Sequence, residues 1–470
     1  CSSDLIIIPK FKPIMMNPYI FREYDIRGKV ADDFPLDVVE LIGKGFGTLI
    51  LRNGGREITL SGDIRLTTPD LIQAFKKGVL STGLDVINIG TLPTPANYYS
   101  MFKLDVGGSC QITGSHNPPE FNGFKLSMEN RPVFGETIQQ IRKWIDAEDF
   151  ETGEGSEASY NIRDDYINMV TNKINLDRTM RVVMDCGNAA GCIAGPEIFK
   201  NLDVELTELY CDIDGTFPNH HPDPTVKENL EDLITLMKTG KYDVGVAFDG
   251  DADRVGVVDD SGEIVWADQL MCLFLPEIIK GGEDILYDVK CSQGLEEMIA
   301  KYGGNPVMWK TGHSLIKQRM AEINCKFGGE MSGHIFFADD YYGYDDGIYV
   351  AARTVQMLSR TNIKLSEMMA ELPQYVSTPE MRLAAESDEE KFRIANEAVE
   401  YFKKNYDCST VDGVRIRFGD GWGLVRSSNT QPVIVCRFEA NTKDRMEALK
   451  ELVLTKLQEF GNLELEVGHT

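Results

Sequence analysis

DVGVAFDGDADR, residues 243–254, is a short apolar run that empties into an acidic loop. Its first half has the length and the valine content of a buried strand. The rhythm recurs along the chain. EITLSGD (57–63) reads as a strand ending in a turn, a helix over 69–83 opens at Pro69-Asp70, and DVINIG (85–90) reads as the next strand. RVVMDCGNAAG (181–191) and DILYDVK (284–290) repeat the pattern. Strand-like runs alternating with helical segments predict α/β layers with largely buried strands.

With 470 residues, the chain exceeds what one hydrophobic core organises, and three or four domains are expected. The acidic, Gly/Ser-containing stretch 147–161 reads as a linker. Further breaks are expected near 259–264 and 372–381. Beyond the last break the pattern changes to a helix over 389–404, strands at 412–418 and 432–440, and a helix over about 443–460. Met446, Leu449, Val453, Leu457 and Phe460 share one face of that helix. The last domain therefore reads as α+β. Domain-scale duplication is not visible in the pattern.

The formal net charge is −26. No Lys/Arg block supplies the basic face that nucleic-acid binding needs, so no nucleic-acid partner is expected. An acidic exterior also repels anionic substrates unless the site concentrates positive charge locally. The ten cysteines form no C-x-x-C pair, and several lie in apolar runs, as Cys186 and Cys436 do. Reduced structural cysteines and a cytoplasmic location are the expectation. The opening CSSDLIIIPKFKP could suggest a lipid-modified amino-terminal cysteine, but its apolar run is too short for a membrane span or a signal core. No membrane partner is expected, and residues 1–14 carry no functional argument.

Four motifs carry chemistry. Thr113-Gly114-Ser115-His116-Asn117-Pro118 holds a serine in a loop stopped by prolines, where an exposed hydroxyl suits a nucleophile or phosphate carrier. Alone it reads equally as a polar turn. Asp249, Asp251 and Asp253 alternate where a strand ends and can converge on one hard cation. Three adjacent carboxylates are costly without a cation or protons, which favours a metal over a solvated turn. Arg254 occupies the place where a calcium EF loop needs glycine. In Gly329-Glu330-Met331-Ser332-Gly333-His334, Glu330 and Ser332 would point the same way along an extended segment, matching a pair of sugar hydroxyls. Arg426-Ser427-Ser428-Asn429-Thr430 offers a guanidinium, hydroxyls and an amide in a turn, a suitable set for a phosphate dianion. Each could be an ordinary loop; their joint occurrence at strand ends argues for one site.

These four motifs, in this order, resemble those of the α-D-phosphohexomutases, the bacterial phosphomannomutase/phosphoglucomutase branch in particular. Phe21-Arg22-Glu23-Tyr24-Asp25-Ile26-Arg27-Gly28, Asp288-Val289-Lys290 and Lys310-Thr311-Gly312-His313-Ser314-Leu315 are similar to further segments of that family. The resemblance runs from about Tyr19 to the carboxyl end. It implies three similar α/β domains with mixed sheets and a smaller α+β domain around a central cleft, with boundaries at 15–160, 161–262, 263–373 and 374–470. It implies that Ser115 carries a phosphoryl group, bridged by Mg²⁺ to Asp249, Asp251 and Asp253. Lys125, His313 and Arg27 would move protons. Tyr24, His116, Arg254, Lys290, Glu330, Ser332, Arg426, Ser428, Asn429 and Thr430 would bind substrate.

The implied reaction interconverts hexose 1- and 6-phosphates, of mannose or glucose, through a hexose 1,6-bisphosphate that turns around in the cleft. The expected partners are small hexose phosphates, with the chain a monomer or dimer. Phosphoglucosamine mutases generally show Gln where Met331 stands, which favours the mannose/glucose assignment. A haloacid-dehalogenase-type phosphatase, in which Asp249 itself is phosphorylated, leaves the Ser115 and Arg426 loops unused.

Overall fold

The computed structural model describes residues 16–428 and 433–465, which form four sheets. The first contains β1 (Ile26–Lys29), β2 (Glu57–Gly62), β3 (Asp85–Thr91), β4 (Gly108–Ile112), β5 (Phe121–Met128), β6 (Arg131–Pro132) and β7 (Glu157–Ser159). The second contains β8 (Met180–Asp185), β9 (Val204–Leu209), β10 (Val244–Phe248), β11 (Val255–Val258) and β12 (Ile264–Val265). The third contains β13 (Asp284–Asp288), β14 (Asn305–Trp309), β15 (Phe327–Gly329) and β16 (Ile335–Phe337). The fourth is a seven-stranded sheet packed with helices Asp388–Asn405 and Lys443–Phe460.

One spatial order recurs in the first three sheets: β3-β2-β4-β5, β9-β8-β10-β11 and β14-β13-β15-β16. Each time three strands run parallel and the last returns antiparallel. The same unit is thus built three times, a repetition absent from the bare sequence pattern. In every copy the loop between the third parallel strand and its antiparallel neighbour holds a motif. These loops contain Ser115, Asp249–Asp253 and Glu330–His334 respectively. All three lie beyond the carboxyl ends of parallel strands, where open α/β sheets bind ligands.

Burial explains the strand choice. Every residue of β4 and of β10 is buried, as expected for strands covered on both faces. Helices Leu36–Arg52 and Thr68–Leu80 pack against each other through Gly43 and Gly78, where a Cβ would stand 2.2 Å from the Phe75 carbonyl and 2.0 Å from that of Glu40. A continuous apolar cluster runs from Ile89 to Leu372 through the second and third units, and separate cores serve the first and fourth. In the last helix Met446, Leu449, Val453 and Leu457 are buried, as their spacing predicts, and Phe460 is half-buried.

Two of the expected breaks carry sheet pairing of their own. Residues 157–159 of the presumed linker form β7, pairing parallel with β3, because the Asp85 carboxylate anchors the Ser156 amide at 2.6 Å. The turn after β11 is a hairpin turn inside the second sheet, since β12 pairs antiparallel with β11.

Third and fourth units meet around Trp422, which packs with Val289 and Leu424. The Arg415 guanidinium stacks 3.8 Å from the Trp422 ring and donates to the carbonyls of Val289 (2.8 Å) and Cys291 (2.7 Å). Lys290 reaches Glu380 at 3.3 Å across the same seam. The Lys290 ammonium pulls the Glu380 carboxyl down from 4.5 to about 2. A depressed carboxylate contributes stability above its unfolded value and loses it as it protonates. Wild type should therefore lose stability as pH falls from about 4.5 towards about 2, and Glu380→Gln should flatten that part of the profile. Thermal midpoints of the two proteins across this window check it; parallel profiles would contradict it.

Candidate active site

The loop after β4 begins the site. Ser115 has φ +50°, a left-handed backbone that costs a non-glycine residue of the order of 1 kcal/mol and persists only when its surroundings impose it. Arg65 imposes it. Its guanidinium donates to the carbonyls of Ser115 (2.7 Å), Asn117 (2.6 Å), Pro118 (2.7 Å) and Phe121 (3.0 Å). Its Nε donates to Asp63 at 3.2 Å. Asp63 in turn accepts from the Thr113 hydroxyl (2.7 Å) and the Gly114 amide (3.3 Å), and the Ser115 amide donates to Thr113 Oγ1 at 2.8 Å. The expected exposure of the serine is not what the structure has. Ser115 is 2% exposed, because the acidic loop after β10 closes on it. A Cβ at Gly250 would stand 2.1 Å from the Ser115 carbonyl oxygen, so only glycine permits this approach.

Ser115 Oγ lies 3.3 Å from Asp249 Oδ2 and 3.1 Å from His116 Nδ1. Asp249, Asp251 and Asp253 are all fully buried, with one oxygen from each within 4.8 Å of the others. Lys125, carried by β5, bridges Asp251 (2.6 Å) and Asp253 (2.5 Å). Burial opposes ionisation of Asp251, yet Lys125 holds its carboxyl at about 2. Asp249 has only the Arg254 guanidinium, 3.8 Å away, and burial together with Asp251 and Asp253 outweighs it and pushes its carboxyl well up. Burial alone would lower the Lys125 ammonium; the two aspartates outweigh it and hold it well above its ordinary value.

The donor set fits a hard divalent cation. It is all oxygen, and Asp251 Oδ1 and Asp253 Oδ1 are buried without hydrogen-bond partners. A second close group, Asp253, His334 and Asp345, is held together differently. Arg254 Nε donates to His334 Nε2 at 2.9 Å, which makes that nitrogen an acceptor and leaves the ring proton on Nδ1, facing Asp345 Oδ2 at 2.9 Å. His313 stacks on His334 with centroids 5.2 Å apart, and burial with Lys317 nearby pushes His313 well down, keeping it neutral. Burial, then Arg254, does the same to His116.

The Glu330–His334 loop of the third unit is joined to this centre. Ser332 Oγ donates to Glu330 at 3.3 Å, but across a turn closed by the Gly333 amide on the Glu330 carbonyl at 3.1 Å rather than along the expected extended segment. Glu330 also accepts from the Gly312 amide. Tyr24 bonds the Thr311 carbonyl at 2.8 Å, and Arg27 bonds Asn117 (2.7 Å) and Asp25 (2.5 Å). Arg426 pairs with Asp412 at 2.9 Å, and Asp412 also accepts the Thr311 amide at 3.1 Å. The Ser428 carbonyl accepts from buried Lys391 at 2.9 Å. Lys290 stands at the seam with the fourth unit, on Glu380. Asn429 and Thr430 lie outside the described residues.

Sequence reasoning missed Arg65 and Asp63 as supports of the serine loop, Thr94, which donates to Asp251 at 2.5 Å, and the His334–Asp345 pair. Only His334 carried a signal, as the end of a motif already singled out.

A buried serine against Asp249 of a carboxylate trio, with loops of the other units around it, is the site of a phosphoryl-transfer enzyme. The chain belongs to the phosphoglucomutase/phosphomannomutase family. Family profiles match its alpha/beta/alpha domain I at residues 18–152, domain II at 164–262, domain III at 266–376 and its C-terminal domain at 379–456. A phosphomannomutase/phosphoglucomutase of Pseudomonas aeruginosa is 41% identical over 93% of this chain and 95% of its own length. A phosphoglucomutase of Neisseria meningitidis is 38% identical over 94% of this chain and 98% of its own. A phosphoglucomutase/phosphomannomutase family structure from Burkholderia thailandensis superposes with a TM-score of 0.90 at 39% identity, covering 96% of this chain and all of that one.

Arg65→Lys keeps the charge and forfeits the fork that spans four carbonyls. Hydrogen exchange at the 113–121 amides should accelerate by roughly tenfold or more, since charge-assisted hydrogen bonds contribute about 1.5–3 kcal/mol each. Unchanged protection in that segment would contradict the assignment.

Proposed function

We propose that this chain is a Mg²⁺-dependent mutase that interconverts hexose 1-phosphates and hexose 6-phosphates through a phosphorylated Ser115. The carrying observation is the contact of Ser115 Oγ with Asp249, in a cluster whose remaining carboxylates are bridged by Lys125. In the first half-reaction the free hydroxyl of a hexose monophosphate attacks phosphorus. The bond from phosphorus to the Ser115 oxygen breaks, and a hexose 1,6-bisphosphate forms. In the second, after the bisphosphate turns around, Ser115 takes back the other phosphate.

Each half-reaction moves one proton off a hydroxyl and one onto an oxygen. His116, neutral and 3.1 Å from Ser115 Oγ, is placed to exchange a proton with that oxygen. His313 lies 3.5 Å from Asp345 on the sugar-facing side, where its neutral imidazole can take the hydroxyl proton. Lys125 and Arg27 supply fixed positive charge, with proton transfer as a further role. Asp249, Asp251, Asp253 and the phosphoserine would hold Mg²⁺, which when bound withdraws charge from the transferring phosphoryl group. Glu330 and Ser332 read two sugar hydroxyls, joined by Tyr24, Arg254 and Lys290. Arg426, Ser428, Asn429 and Thr430 clamp the phosphate that is not reacting. A clamp and a reader that both accept either orientation suit a substrate that must reverse.

Mannose and glucose phosphates are the proposed substrates. The relatives named for both activities support this, as does Met331 in the sugar-facing loop. Epimers at C2 are not separated by a reader of two other hydroxyls.

Ser115→Ala should abolish turnover of mannose 1-phosphate and glucose 1-phosphate, with a loss of roughly 1,000-fold or more, because the covalent station disappears. Wild-type protein treated with hexose bisphosphate should gain about 80 Da on Ser115 by intact mass and peptide mapping. Near-normal turnover of the variant, or phosphate found on Asp249, would overturn the reading. Arg426→Ala should raise KM by roughly tenfold or more while the phosphorylated protein remains as stable as wild type; loss of Mg²⁺ binding instead would contradict the division of labour.

A further inference from the structure

Three thiols gather at one end of the second sheet, where nothing in the phosphoryl-transfer site uses them. Cys186 directly follows β8 and is fully buried. Cys211 lies two residues beyond the neighbouring parallel strand β9 and is partly exposed, as is Cys192. Cys211 Sγ stands 3.4 Å from Cys186 Sγ, inside the usual separation of two non-bonded sulfurs, and both Cys211 and Cys192 hydrogen-bond with Cys186. Parallel pairing sets this approach. β8 and β9 are in register up to Asp185 and Leu209, and the Cys186 amide continues the ladder to the Leu209 carbonyl at 3.2 Å.

The surroundings tie this corner to the active site. The two turns that follow the strands contain three left-handed residues: Gly187 (φ +53°), Asn188 (φ +59°) and Tyr210 (φ +52°). The first turn leads to the Ala190 amide, which donates to the Gly250 carbonyl of the acidic loop at 3.2 Å. The second leads through 212–220 to His221, whose Nε2 meets the His116 carbonyl of the serine loop. Asn188 links the two turns by donating to the Asp212 carbonyl at 2.8 Å. A covalent bond between Cys186 and Cys211 would therefore join the roots of two segments that touch the acidic loop and the serine loop.

We propose that Cys186 and Cys211 form a reversible disulfide under hydroperoxide, and that this bond slows the phosphoryl-transfer site. Cys211 is the partly exposed thiol, so its thiolate sulfur attacks one peroxide oxygen. The O–O bond breaks, hydroxide leaves, and Cys211 becomes a sulfenic acid. Cys186 sulfur then attacks Cys211 sulfur, the S–O bond breaks, and the departing hydroxide takes the Cys186 proton as water. Two thiols are oxidised, one peroxide is reduced, and two waters form. Burial raises the Cys186 thiol well above its ordinary value, which makes Cys186 the resolving thiol. A small thiol reverses the bond by exchange at the partly exposed Cys211 sulfur.

The experiment treats the full chain with hydrogen peroxide and maps it without reduction. Trypsin cuts after Arg181, Lys200 and Lys227, placing Cys186 and Cys192 in peptide 182–200 and Cys211 in peptide 201–227. The expected product is a cross-link between these peptides, about 2 Da lighter than their sum, which dithiothreitol releases. It should persist in Cys192→Ser and vanish in Cys186→Ala and Cys211→Ser. A bond within peptide 182–200, a cross-link that survives Cys186→Ala, or Cys211 converted to sulfinic acid beside an intact Cys186 thiol would each overturn the pairing. Mass alone reads the bond, so this part does not depend on the mutase reading. Turnover of glucose 1-phosphate should fall roughly threefold or more on cross-linking and return with dithiothreitol, as expected when loop motion is restrained. Cys211→Ser should keep its rate under peroxide. Full turnover by cross-linked protein would overturn the coupling to the site.

Discussion

The arrangement rests on one electrostatic constraint: Asp249, Asp251 and Asp253 have no contact with solvent. Buried carboxylates of like charge raise one another's pKa unless positive charge stands among them. Lys125 supplies it from a different unit of the chain, at 2.6 and 2.5 Å from two of the three. The pair of salt bridges therefore clamps the first unit on the second. Thr94 reinforces the clamp, since its hydroxyl reaches the Asp251 carboxylate and its amide the Asp251 carbonyl. Asp249 is left as the carboxyl least compensated and nearest to Ser115. A divalent cation held there would satisfy the same deficit from the other side, and would then tie metal affinity to the seam between units through one charge balance.

Threefold repetition explains how distant motifs come to one place. Each copy ends its first strand at a buried aspartate: Asp63, Asp185 and Asp288. Asp63 holds the serine loop through Thr113 and Gly114. Asp288 does the equivalent for the third unit, accepting the Met331 amide at 3.2 Å and the Thr311 hydroxyl at 2.9 Å. Asp185 instead grips the His220 imidazole at 3.0 Å, fixing the segment that carries His221 to the serine loop. Loops on the carboxyl ends of three like sheets then present different side chains at equivalent places in the fold.

Legibility followed chemistry more than pattern. Ser115, the aspartates and Glu330 stood out because phosphate, metal and sugar demand particular donors at short spacing. The α/β alternation was equally plain, because doubly covered strands must be apolar throughout. Arg65 was invisible: a single arginine after a strand acquires its role only when four carbonyls from 115–121 fold around it. Asp345 is silent for the same reason, since its partners His334, His313 and Lys317 come from other elements. The short strand inside the stretch 147–161 was illegible because three exposed residues, Glu157–Ser159, pair by backbone and need no apolar signature.

Concealment of the serine follows from the same geometry that fixes its backbone. A left-handed residue needs braces on both sides, and Arg65 from beneath with Gly250 from above provide them. Those braces belong to different units, so the nucleophile is fully set only when the first and second units are in contact. The third unit adds His334 through Arg254, and the fourth reaches the same network through Arg426, Asp412 and Thr311. Positioning is thereby distributed over all four units. Separation at any seam would loosen the surroundings of Ser115, so any opening that let a sugar reverse, as proposed above, would also undo the geometry around the serine. Water admitted by such an opening would then meet the proposed phosphoryl group when its surroundings are no longer arranged for transfer.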